Sequence, residues 1–186
     1  NPYPPLLKWI CQFVDGFDIA SEGELAALEK VGADCIALSF AGPGKSDREL
    51  SRAIRAKATI SIESEGEAAR LLDIAGRLGI RPRVMVRVNP PFQLKGAGMK
   101  MGGAASPFGI DHDRCPDVVR GLVEAGADWR GLHIYPGSQC LDWAALAEAQ
   151  ALSVALAGQI AEEAGHEPPE VNLGGGFGIP YFAGEA

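Results

Sequence analysis

Val171-Asn172-Leu173-Gly174-Gly175-Gly176-Phe177-Gly178 sets three consecutive glycines directly behind a short apolar run. Glycine has no Cβ to obstruct an anion and reaches φ > 0, so successive amide N–H groups can turn to one side and clasp a phosphate. A helix following such a loop would add the pull of its N-terminal dipole. By itself the triplet fits a plain turn equally well. Upstream, Gly131-Leu132-His133-Ile134-Tyr135-Pro136-Gly137-Ser138-Gln139 has the same form, an apolar run ending in a small-residue turn that carries the Ser138 hydroxyl. Arg87 interrupts the apolar run Val84-Met85-Val86-Arg87-Val88, and Asp18 interrupts Phe17-Asp18-Ile19. A charge so placed needs a partner or a ligand. His133 fits a ligand-facing imidazole or a satisfied core histidine, whereas His112 and His166 read as surface residues. No His, Cys, Asp or Glu spacing has the form of a metal site. Gly42-Pro43-Gly44-Lys45-Ser46 imitates the end of a nucleotide-binding loop, but Ser39 stands where the first glycine is needed.

The elements that must hold these residues follow from two alternating periods. Short apolar runs predict strands at 16–20, 35–40, 59–62, 83–88, 129–135 and 170–173. Helical spacing predicts helices over Leu6–Val14, from Ser21 through Val31, and over 47–56, 65–78, 113–125 and 142–164. Ser21 followed by Glu24 has the form of a capping box. Residues 89–110 read as a long glycine-rich loop. Strict β-α alternation means a parallel sheet packed by helices, an α/β fold. Asp18, Arg87, Tyr135, Ser138 and the glycine triplet all fall at or just past strand C-terminal ends, the face on which a (β/α)8 barrel builds its site. An open doubly wound sheet has the same local grammar, so the pattern leaves both open. A full barrel takes ~250 residues, about two βα units more than this chain.

With 186 residues, 47% of them hydrophobic, the chain can bury one sizeable core. A net charge of −7 without a basic cluster argues against a nucleic-acid partner. Cys11, Cys35, Cys115 and Cys140 show no paired spacing and read as reduced, mostly buried thiols of a cytoplasmic protein. No apolar run reads as long enough to span a bilayer, so no membrane partner is expected. The opening Asn1-Pro2-Tyr3-Pro4-Pro5 lacks the basic stretch of a signal peptide, and the absence of an initial Met places the true start upstream.

Five segments, in order, resemble the fold-type III pyridoxal-phosphate decarboxylases that act on ornithine, diaminopimelate and arginine. They are Phe17-Asp18-Ile19-Ala20-Ser21-Glu22-Gly23-Glu24-Leu25, Arg87-Val88-Asn89-Pro90, Phe108-Gly109-Ile110, Gly131-Leu132-His133 with Gly137-Ser138-Gln139, and Gly174-Gly175-Gly176-Phe177. Ser39–Lys45 and Leu94–Gly103 further resemble the branch found beside exosortase systems.

The resemblance implies an incomplete (β/α)8 barrel of the alanine racemase-like kind, with strands two to seven present in one domain over 1–186. It implies pyridoxal 5'-phosphate as cofactor and a small amino-acid substrate. The phosphate would be held by Gly174, Gly175, Gly176 and Ser138. Arg87 would lie near the cofactor's phenolic side, with His133 close by. Asp18 and Glu24 would support Arg87 and the lysine joined to the cofactor. That lysine would sit two residues before Asn1, and the glutamate facing the pyridine nitrogen and a C-terminal β domain would lie beyond Ala186. The implied activity is decarboxylation by a longer, homodimeric enzyme, this piece being inactive alone. The family has a cofactor-stacking histidine where this chain has Tyr135; a tyrosine can stack but cannot act as an imidazolium. A racemase or aldolase on the same barrel, a non-catalytic carrier of the cofactor, and an unrelated phosphate-sugar barrel are the alternatives.

Overall fold

The computed structural model describes residues 3–32, 37–100, 102–103, 106–182 and 184. Helices are α1 (Pro4–Ile10), α2 (Glu22–Lys30), α3 (Asp47–Arg55), α4 (Glu65–Leu78), α5 (Cys115–Glu124) and α6 (Trp143–Ala164). Strands are β1 (Gly16–Ile19), β2 (Ala37–Phe40), β3 (Thr59–Ile62), β4 (Arg83–Asn89), β5 (Met99–Lys100), β6 (Ile110–Asp111), β7 (Asp128–Ile134), β8 (Gly137–Ser138) and β9 (Glu170–Asn172). The predicted strand at 35–40 is present from Ala37 onward, and its first residues, with Cys35, lie outside the described residues.

Parallel pairing runs in the order β1-β2-β3-β4-β7-β9, with β6 added beside β4. Side chains alternate across this sheet, as the strand period requires, except at a bulge in β7 where Trp129 pairs with Val84 and Gly131 with Met85. On one face Val84, Val86 and Val88 join Ile60, Ile62, Leu132 and Ile134 in a single core with the helices, including Leu71 and Leu122. On the other, Asp18, Ser39, Thr59, Arg83, Met85 and Asn172 line a cavity of about 560 Å³. The two edge strands decide between barrel and open sheet. Asn172 Nδ2 on β9 lies 3.4 Å from Asp18 Oδ1 on β1. In a flat sheet, five strand spacings would hold these edges roughly 24 Å apart. The sheet is therefore curled into an incomplete barrel.

Polar residues at helix starts fix where the rim loops end. Ser46 and Glu49 form a full capping box on α3, and Asp142 accepts from the amides of Ala144 and Ala145 at the start of α6. At α2, Ser21 Oγ accepts from Glu24 N, but Glu24 Oε2 takes the amide of Ala20 at 2.7 Å in place of that of Ser21. The capping box expected there is therefore half formed, because the carboxylate reaches back to the end of β1. Residues 89–110 are not structureless either, since β5 pairs antiparallel with β8 and β6 extends the sheet at β4.

One expectation needs correcting. By length and composition the 22-residue α6 could cross a membrane, contrary to the reading that no run was long enough. Its Ala149, Ser153, Leu156, Ala157, Ile160 and Ala164 are buried, a helical stripe consistent with packing on the barrel. An alanine-rich stripe of this kind raises a helix's hydropathy without any bilayer being involved. Cys11, Cys115 and Cys140 are free thiols, the latter two buried.

Candidate cofactor site

At the C-terminal ends of β3, β4 and β7, inward-facing side chains meet in register. Arg87 and His133 are paired neighbours on β4 and β7. Arg87 Nη1 lies 2.9 Å from Glu63 Oε1, and both side chains are almost fully buried. The guanidinium also lies over the ring of Phe108, 5.0 Å from its centroid. His133 Nδ1 lies 3.2 Å from Ser61 Oγ on β3. Burial, and then the charges of Arg87 and Lys45, lower the His133 pKa to about 3. This imidazole is neutral across the physiological range, so it can hold a hydrogen bond but not a charge.

Next to this cluster the two small-residue turns are joined. Cys140 N donates to Gly176 O at 2.9 Å, and Gly178 N donates back to Cys140 O at 2.9 Å. The triplet adopts φ of +75°, +137° and +84° at Gly174, Gly175 and Gly176, conformations that side-chain-bearing residues rarely take. A Cβ on Gly174 would come 2.4 Å from Tyr135 Cδ2, and one on Gly176 would come 2.8 Å from Gly137 O. At Gly175 a Cβ would meet only Phe177 Cδ2 at 3.8 Å, so that side of the loop is open.

The N–H groups of the triplet do not all face the same way. Gly174 N donates to Asn172 Oδ1 at 2.8 Å, and Gly175 N to Leu173 O at 2.9 Å. Among the described residues, the N–H groups of Gly176 and Phe177 have no protein acceptor. Two adjacent donors without a protein acceptor, on a turn bonded to the segment that carries the half-buried Ser138, are suited to an anion such as a phosphate.

The residues nominated from sequence thus fall into two groups. Arg87, His133, Tyr135, Ser138 and Gly174–Gly176 surround one stretch of rim. Asp18 and Glu24 are exposed and line a small cavity of about 80 Å³ beside β1, and Asp18 also borders the glycine turn, since Asn172 lies 3.4 Å from its Oδ1 and accepts from Gly174 N. Two further groups escaped the sequence reading. Glu63 supplies the carboxylate beside Arg87. Lys45, noted above only in a segment that imitates a nucleotide-binding loop, is 4% exposed and donates to Gly42 O, Ser61 O and Glu67 Oε1. Its position in a glycine-rich segment hid it, because the loop folds back over the end of β3. A carboxylate directly after an apolar strand was the available signal for Glu63.

Residues 1–186 match the family described as "Pyridoxal-dependent decarboxylase, pyridoxal binding domain". The chain belongs to this family. It is 35% identical over 184 residues to the L-glutamyl-[BtrI acyl-carrier protein] decarboxylase of Niallia circulans, covering 97% of this chain and 42% of that protein. Against the diaminopimelate decarboxylase of Vibrio cholerae it is 32% identical over 180 residues, covering 95% of this chain and 43% of the relative. The crystal structure of Helicobacter pylori diaminopimelate decarboxylase complexed with L-lysine superposes with a TM-score of 0.86 at 26% identity, covering all of this chain and 48% of that one. A mutant of SrLDC in complex with PLP superposes at 0.79 with 25% identity, covering 97% of this chain and 44% of that one. The chain therefore spans less than half the length of these relatives.

Membership makes pyridoxal phosphate the cofactor. The residues fit it: an open glycine turn with two amide donors that have no protein acceptor and, at the ends of β7 and β4, the next two strands of the sheet, a neutral His133 and the buried Arg87.

Proposed function

We propose that this chain is the cofactor-holding barrel of a longer enzyme that removes the α-carboxylate of an amino acid, with a diaminopimelate- or ornithine-like substrate. The observation that carries the reading is the joining of the Gly137–Gln139 turn to the Gly174–Gly176 turn, which leaves the Gly176 and Phe177 amides facing no protein acceptor. In this reading those amides and Ser138 Oγ bind the phosphate, and the ring of Tyr135, packed on Gly174, orients the cofactor's aromatic face. Arg87 is a fixed cation that repels protons from its surroundings, and neutral His133 positions without protonating. When bound, the cofactor supplies the electron sink that accepts the pair left behind as CO₂ departs. In the same reading Asp18 and Glu24 support Arg87 and the lysine that carries the cofactor. A homodimer and a place in the exosortase-linked branch belong to the same proposal.

The test is release of CO₂ by the full-length protein, loaded with pyridoxal phosphate, from diaminopimelate, ornithine and arginine. Release from one of these, with the amine as product, supports the reading. Cofactor binding without CO₂ from any of them, or racemisation instead, refutes decarboxylation.

A further inference from the structure

Glu63 makes more contacts than an ordinary partner for Arg87 would. Its Oε1 accepts from Arg87 Nη1 at 2.9 Å and from Gly42 N, and its Oε2 accepts from Gly109 N at 3.3 Å. All three partners are donors, so the site suits a carboxylate and offers nothing to a protonated acid or an amide NH₂. Behind it, the Glu63 amide donates to Glu67 Oε2 at 2.8 Å, and Glu67 Oε1 pairs with Lys45 Nζ at 2.9 Å. Lys45 spends its other two donors on Gly42 O and Ser61 O, each at 2.7 Å. Gly42 is thus held from both sides, its N–H by Glu63 and its C=O by Lys45. Two cations and two carboxylates cancel inside one buried cluster that spans the ends of β2, β3 and β4 and the segment carrying Phe108 and Gly109.

We infer that Glu63 is a positioning residue that fixes the Arg87 guanidinium in the rim, and that the Lys45–Glu67 pair fixes Glu63 in turn. The consequence for a bound cofactor rests on the reading of Arg87 proposed above; the positioning itself does not. A buried carboxylate with three donors and a tethered backbone has one orientation. Arg87, packed between it and the Phe108 ring, inherits that orientation.

The test uses the full-length protein and two readouts. The first, on the cofactor-free protein, is the rate at which phenylglyoxal labels Arg87, followed by peptide mass. The second is the dissociation constant for pyridoxal phosphate. Glu63→Gln opposes an amide NH₂ to a backbone N–H, and Arg87 should then label about ten-fold faster, the scale of one lost charge-assisted hydrogen bond. Glu67→Gln, which keeps an acceptor for Lys45 or for Glu63 N but weakens the pair, should move labelling the same way by less. Wild-type labelling of Arg87 in Glu63→Gln overturns the inference. So does wild-type labelling in Glu67→Gln if Glu63→Gln does not fold. Faster labelling with an unchanged cofactor dissociation constant upholds the positioning role and refutes the placement of Arg87 against the cofactor.

Discussion

Gly174, Gly175 and Gly176 share a chemistry but not a task. The first and last are excluded from bearing a side chain by Tyr135 and by the Gly137 carbonyl, whereas Gly175 opens to space. Gly175→Val in the full-length protein should weaken cofactor binding by about ten-fold or more, from a left-handed strain of ~1–2 kcal/mol and a side chain set in the anion's path. Titration at equilibrium checks this, and an unchanged dissociation constant would remove the loop from the phosphate site. The triplet stood out in the sequence only beside the matching Gly137-Ser138-Gln139 turn, since alone it fits a plain turn equally well. Glu63 did not. It is followed by Ser64, Glu65 and Glu67, so it reads as one more acid at a helix start, where acids are common. Only the fold shows that Ser64 is the cap, Glu67 the partner of Lys45, and Glu63 the residue turned inward.

Among the elements, strands and helices were readable almost throughout, since the central strands β3, β4 and β7 bury their helix-facing side chains and helices α3 to α6 each show a buried stripe. What periodicity could not supply was the behaviour of the connections. The Gly42–Ser46 segment has a loop's composition, yet Lys45 ties it to β3 and α4 through three hydrogen bonds. Burial raises the Glu67 pKa, opposed by Lys45. Removing one partner of a buried pair strands the other, so Lys45→Met should cost about 3–5 kcal/mol of stability. Lys45→Met with Glu67→Leu should recover much of that loss. Chemical denaturation of both variants checks this, and a double variant no more stable than the single one would show that the backbone bonds of Lys45 dominate. The segment 89–110 was also read as bare loop, because two-residue strands such as β5 and β6 are too short to carry a period.

At the scale of the whole molecule, the β-α pattern by itself left barrel and open sheet equally admissible, and the meeting of Asp18 with Asn172 across the curl separates them. The same curl buries His133, which gives the molecule a pH signature. Its pKa falls from 6.5 to about 3 on folding, so the unfolded chain binds the extra proton. The corresponding stability is full above pH 6.5 and is lost as pH falls toward 3, at roughly 1.4 kcal/mol per pH unit within that window. The raised pKa of Glu67 acts with the opposite sign on the acid side. His133→Gln should therefore flatten the loss of stability between pH 6.5 and 4.5, and an unflattened slope in denaturation curves would assign it to other groups. The central claim is that the joined glycine turns hold the phosphate of pyridoxal phosphate, and a crystal structure of the full-length protein with that cofactor tests it most directly. Phosphate oxygens accepting from the N–H groups of Gly176 and Phe177, with Tyr135 against the cofactor ring, is the predicted result. A phosphate bound instead among Arg83 and Arg130 on the barrel floor, with the glycine turn empty, would contradict it.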